Sequence, residues 1–298
     1  MNPGVPLAAL TGVQVGAALV ASAAVVDTTG SALLAFMRYA LAALLLVPFA
    51  WQAFRTGAPI ARRDLLPIAL LGIGQFGALI WLLNLAVEFA EPSRVALVFA
   101  TLPAVTALVL WCTGRGMPSS YVVVGIVGSV AGVALLLGGT TYAHAAIQNE
   151  VVGLALAMAA TTIAAVCSVL YRPYLMRYGV RRISVLAMIA SLVPLALLVP
   201  FEVNDPIGTW ASTVWLLVAF VGASSAIGYL MWLGALARMD AARVTAFLAL
   251  SPITAAILSA AFTDSHLAST DFAALALISG ALCVIAIERN HPLAENGS

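Results

Sequence analysis

The sequence predicts an all-α integral membrane protein: ten transmembrane helices in two inverted five-helix repeats, with both termini cytoplasmic. Three observations predict this fold class. Hydrophobic residues make up 63% of the 298-residue chain and charged residues 8%, against about a quarter charged in a water-soluble domain. Such a chain cannot cover its own surface in water, so lipid must be its solvent. A stretch that begins with charges and meets a proline inside an apolar run occurs twice. Glu91-Pro-Ser-Arg-Val runs into Pro103, and Asp240-Ala-Ala-Arg-Val runs into Pro252, 149 residues later. Lastly, the arginines gather on one side when successive links between spans are assigned alternately to the two faces.

In chain order, the first half reads as spans near Val5–Val26, Ala32–Trp51, Leu65–Val87, Val95–Cys112 and Tyr121–Gly138. The second half reads as Val151–Tyr171, Ile183–Phe201, Trp210–Ala237, Val244–Phe262 and Thr270–Ile287. They run from 18 to 28 residues, long enough to cross a hydrocarbon layer at about 1.5 Å per residue. No basic stretch precedes the first apolar run, which therefore reads as a membrane helix and not as a cleaved signal peptide. The links carry turn formers such as Asp27-Thr-Thr-Gly30 and Asn204-Asp-Pro-Ile-Gly208. Ten spans leave no room for a soluble domain.

One face receives Arg55, Arg62, Arg63, Arg115, Arg172, Arg177, Arg181, Arg182, Arg238, Arg243 and Arg289. The other receives only Arg94, while Arg38 lies inside the second span. Positive charge stays on the cytoplasmic side, so both termini are expected there. The duplication extends beyond its most obvious stretch. Leu45-Leu-Val-Pro-Phe49 closes the second span and Leu197-Leu-Val-Pro-Phe201 the seventh, and Leu71-Gly72 is echoed by Val221-Gly222. The units are residues 1–145 and 146–298. Five helices per unit is an odd number, so the second unit enters the membrane upside down.

Pro103 and Pro252 fall near mid-helix. A proline there removes a backbone hydrogen bond and kinks or breaks the helix. Paired interrupted helices in two halves of a chain point to the central site of a carrier, with these prolines as its bending points. Several residues are candidates for binding there. Arg38 is the one ionisable side chain well inside a span. Either it meets a solute, or it snorkels to the outer interface or holds a helix end by bonding carbonyls. Gln14 and Gln75 are amides in apolar helices, and an amide in lipid must face a partner helix or a wet cavity. Trp81 and Tyr229 are candidate cavity walls, with the interfacial aromatic belt as the alternative for such residues. Phe99 and Phe247 precede the two prolines. Thr101, Thr161 and Ser224 either bind solute or return hydrogen bonds to their own helices.

The remaining patterns exclude more than they suggest. A net charge of +1 gives no reason to expect nucleic acid. Cys112, Cys167 and Cys283 lie singly in apolar runs, without metal or redox spacing. No nucleophile, dinucleotide or phosphate-loop motif is present. We expect neither an enzyme nor a cofactor. Gly125, Gly128 and Gly132 include a G-x-x-x-G spacing that marks close helix packing or a dimer face, leaving monomer and homodimer open. No Asp or Glu lies near the middle of a span, so an obvious carboxylate proton relay is missing.

The run Arg38-Tyr-Ala-Leu-Ala-Ala-Leu-Leu-Leu46 after a short outer loop, the five-plus-five repeat and the paired mid-helix prolines together resemble the drug/metabolite transporter superfamily, specifically its EamA-type branch. Within that branch the sequence looks most like bacterial exporters of amino acids, including aromatic ones. The resemblance implies an inner-membrane exporter of amino acids or related small metabolites, with a central cavity lined by both halves. The lack of a central acid points to uniport-like alternating access. The alternative is a proton-coupled multidrug or metabolite exporter of the same fold.

Overall fold

A chain in hydrocarbon must satisfy every backbone N–H and C=O internally, which helices do within one segment. The computed structural model describes residues 4–57, 59–114, 144–202, 205–236, 238, 247–262 and 269–288, with short pieces between 120 and 135. Regular structure among them is helical throughout. The expected fifth span falls mostly outside the described residues, as do Arg115, Arg243, Arg289 and both termini.

Helices α1 (Gly4–Thr29) and α2 (Ser31–Thr56) form the first two spans. The third is α3 (Arg62–Gly72), a π-helical turn (Ile73–Ala78) and α4 (Leu79–Phe89). The fourth is α5 (Pro92–Ala100) and α6 (Leu102–Cys112), broken at Thr101. Then follow α7 (His144–Tyr178), α8 (Val180–Glu202) and, after a 3-10 turn (Ile207–Thr209), α9 (Ser212–Leu236). A 3-10 turn (Phe247–Ala249) leads into α10 (Leu250–Phe262), and α11 (Ser269–Glu288) follows. Among the described residues, seven stretches are long and apolar enough to cross a bilayer, and Leu250–Phe262 and Phe272–Ala281 are shorter apolar helices.

The helices run past the expected apolar limits, α2 to Thr56 and α7 from His144 to Tyr178. A helical backbone remains satisfied beyond the apolar run, so hydropathy does not mark its end. The links are correspondingly tight. Gly30 alone joins α1 to α2 at φ +75°, and Gly179 alone joins α7 to α8 at φ +79°. Both conformations favour glycine, and the two positions are 149 residues apart, the spacing of the duplicated stretch. A side chain at Gly30 would also come within 2.5 Å of the Glu202 carbonyl.

Packing follows the duplication. Helix α1 lies against α9 and α10, while α7 lies against α4 and against α5 and α6. Helix α2 crosses α9 as α8 crosses α3, and α2 pairs with α8 and α5 with α10. Of the fifth-span glycines, Gly128 and Gly132 lie against Ala281 and Ile278 of α11.

Each proline interrupts its span as expected, with the break just before the ring. Thr101 has left the helical ψ range at −2°, and α10 becomes α-helical only at Leu250. Proline lacks the N–H and crowds the carbonyl four residues back. At the second break a hydroxyl repairs part of the loss, since Ser251 donates to the carbonyl of Leu248, four residues before Pro252, at 2.7 Å; at the first, Thr101 donates to the Val98 carbonyl at 2.6 Å. On α1, Gly12 and Gly16 leave room for the interrupted backbone, since added Cβ atoms would meet the carbonyls of Phe247 at 2.1 Å and Ser251 at 2.3 Å.

Both ends of the bundle are tied across the halves. At the Gly30 end, Glu202 accepts the Trp81 indole N–H at 2.6 Å and the Ala32 amide at 2.7 Å. There Ser31 donates to Glu88, Asn84 donates to the Ser31 carbonyl at 3.1 Å, and buried Arg94 pairs with buried Glu150. At the Gly179 end, Asp64 on α3 accepts from Arg177 at 3.1 Å and from the Tyr178 hydroxyl.

Candidate functional site

Helices α2 and α9 cross where α9 carries consecutive hydroxyls, Ser224 and Ser225, at the middle of its 25 residues. Each hydroxyl donates to the Val221 carbonyl, at 3.1 and 2.7 Å, which leaves lone pairs facing inward. Arg38 Nε donates to Ser225 Oγ at 2.6 Å, and Gln14 Nε2 on α1 donates to Ser224 Oγ at 3.3 Å. The guanidinium therefore reaches the middle of α9. Gly228, one turn along α9, makes room for Gln14, whose Oε1 would lie 2.1 Å from a Cβ there.

An aromatic group stands beside these polar contacts. Phe76 is flanked edge-on by Tyr39 at 5.2 Å and Tyr229 at 5.8 Å between ring centres. The Arg38 guanidinium carbon lies 5.9 Å from the Tyr39 ring centre. The Tyr229 hydroxyl shares a 2.7 Å hydrogen bond with Ser184 of α8, whose own hydroxyl donates to the Val180 carbonyl. A narrow cleft bordered by Leu46, Phe49, Arg181 and Leu230 reaches this hydroxyl pair from the Gly179 end.

The π-helical turn positions Phe76 and Gln75. Glycines make it possible: Cβ atoms at Gly72 and Gly74 would come within 2.4 Å of the Ala187 carbonyl and 2.9 Å of Cys167 Sγ. Single π turns within α-helices recur at functional sites because they swing side chains out of the regular register. Gln75 Oε1 is buried with no hydrogen-bond partner, and so is the Tyr171 hydroxyl. Unpaired buried polar atoms are costly and call for a reason such as a ligand or water.

Of the residues singled out from sequence, Gln14, Arg38, Ser224 and Tyr229 meet here, and Gln75 lies in the adjoining π turn. The others stand elsewhere. Trp81 is the donor to Glu202 at the Gly30 end. Thr161 is fully buried and donates to the Ala157 carbonyl at 2.7 Å, and Thr101 belongs to the break before Pro103. Phe99 packs on the main core, and Phe247 packs beside Ala8 and Ala235. Sequence reasoning missed Tyr39, Phe76 and Ser184. The three glycines Gly72, Gly74 and Gly77 around Gln75 were the available signal for an irregular turn.

The sequence profile of the EamA-like transporter family matches residues 2–138 and again residues 151–287. The chain belongs to the EamA-like transporter family. The two matched stretches are offset by 149 residues, the same interval as the duplicated stretch and the paired glycine links. No curated protein matches the sequence. A solved crystal structure, described only as that of a protein, is similar over 99% of this chain and 100% of its own, with a TM-score of 0.66 and 18% identity. At that identity the likeness speaks for the fold alone. As an EamA-like transporter, this multi-pass membrane protein moves small molecules across a bilayer and is not an enzyme.

Proposed function

We propose that this EamA-like transporter exports amino acids, large apolar or aromatic ones above all, or related small metabolites, across the bacterial inner membrane. The observation that carries the reading is the mid-depth group of one guanidinium, amides, hydroxyls and aromatic rings on helices from both halves. Hydrogen-bonding groups beside aromatic rings suit a solute with a polar head and an apolar body. Among the described residues, Asp and Glu lie near helix ends and not at mid-depth, which favours movement down the solute's own gradient.

The units 1–145 and 146–298 act as inverted halves of one transport domain, ten spans in all, with the Gly179 end and both termini in the cytoplasm. Alternating access rocks the halves about the site, and the breaks before Pro103 and Pro252 let the fourth and ninth spans bend. The mirrored packing of α1 with α9 and α7 with α4 supports this arrangement. The test is uptake of labelled amino acids into proteoliposomes with and without an imposed pH gradient. Saturable flux indifferent to the gradient is expected; no amino-acid flux of any kind would sink the reading.

One observation favours a second reading, a proton-coupled multidrug or metabolite exporter. Glu202 accepts hydrogen bonds from Trp81 and Ala32 across the halves, so its protonation would weaken a tie between them. Flux that follows the pH gradient and slows in Glu202→Gln would favour that reading.

A further inference from the structure

We infer that Arg38 is the dock for a carboxylate on the transported solute, an assignment that rests on the amino-acid reading of the same site. Four observations lead to it. The guanidinium is held at mid-depth through Nε alone, by Ser225. Its two terminal nitrogens make no hydrogen bond among the described residues, and neither is sealed from open space. Arg38 is half-buried, whereas Arg94, the arginine that pairs with Glu150, is 5% exposed. Among the described residues no carboxylate forms a salt bridge with Arg38.

The duplication supplies an internal control. The Leu45–Phe49 repeat sets a shift of 152 residues within this span, and the position that far after Arg38 is Ala190 of α8. That position carries no charge, and α8 crosses the third span with its Ala187 backbone against Gly72, so packing of such a crossing does not require an arginine. A cation kept in the membrane interior without an internal counter-charge faces a wet cavity or takes an anion from elsewhere. The planar fork of terminal N–H groups matches a carboxylate in bidentate fashion. A zwitterionic amino acid bound there neutralises the guanidinium with its carboxylate and leaves its ammonium for neutral acceptors.

The deciding experiment measures competition with labelled L-phenylalanine uptake in proteoliposomes of the full chain. The competitors are phenylpropionate, phenylalaninamide, phenethylamine, chloride and inorganic phosphate. Phenylpropionate is expected to compete, while the amide and the amine, which lack a carboxylate, compete at least tenfold more weakly. Arg38→Gln is expected to lower apparent affinity at least tenfold, with Arg38→Lys retaining part of it. Equal competition by phenylalaninamide, or by chloride or phosphate, would overturn the carboxylate dock while leaving amino-acid transport standing. If no amino acid moves and a carboxylate-free compound does, both readings fall. Should Arg38→Gln not fold, the competition series on the unaltered protein still decides.

Discussion

Glu202 is tied by two donors from the other half of the chain, and Trp81 supplies the more removable one. Trp81→Phe keeps the aromatic bulk but deletes the N–H that reaches Glu202 at 2.6 Å. Losing a hydrogen bond to a charged group costs about 1.5–3 kcal/mol, and a fall in thermal stability of that order in detergent is expected. The Arg94–Glu150 pair calls for a different pattern. Both residues are buried, so Arg94→Met or Glu150→Gln alone strands a partner and should cost about 3–5 kcal/mol, whereas removing both charges together should cost much less. A double-mutant cycle by chemical denaturation measures this, and additive single effects would contradict it. The pair also accounts for the one arginine that departs from the one-sided pattern, because its charge is answered within the protein.

At the level of elements, interruptions are placed where neighbouring helices can receive them. The broken start of α10 rests on Gly12 and Gly16 of α1, and the π turn rests on α7 and α8 through Gly74 and Gly72. Gly16→Val would drive a branched side chain into the Ser251 carbonyl, and overpacking of this kind costs about 1–3 kcal/mol or more. Lower yield and lower melting temperature of the purified protein are the readouts. The prolines should behave oppositely. Pro103→Ala combined with Pro252→Ala restores two backbone donors and straightens both spans, so stability should hold or rise while transport slows. Unchanged transport and unchanged hydrogen exchange around Thr101 would mean that the breaks have no part in motion.

Ties cross between the halves at both ends of the bundle: Trp81 and Ala32 with Glu202 at one end, Arg177 and Tyr178 with Asp64 at the other. Alternating access requires these ties to open in turn. Weakening either should move the population toward the state open at that end, about tenfold for each 1.4 kcal/mol of differential effect. Glu202→Gln should raise the labelling rate of a cysteine introduced near the Gly30 end, and Asp64→Asn that of one near the Gly179 end. Shifts in the same direction for both variants would argue against a shared two-state motion.

The fold class, the two-part organisation and the paired breaks were legible in the sequence because each rests on a signal that lipid enforces. Spans must be apolar and long, arginines stay on one face, and a proline cannot complete a helical ladder wherever it sits. Much of the mid-helix polar group was legible for the same reason, since Gln14, Arg38, Gln75 and Ser224 are polar where almost nothing else is. What the sequence could not assign was facing. A helix that is apolar all round has no stripe to distinguish lipid from neighbour, so Tyr39, Phe76 and Ser184 looked like ordinary span residues. Trp81 looked like a cavity wall because its acceptor, Glu202, is 121 residues away in the chain. The depth of the Arg38 charge was also undetermined, since its long side chain can reach either the interface or the interior. Only the crossing of α2 and α9 decided it, by bringing a mid-helix hydroxyl within reach of its guanidinium.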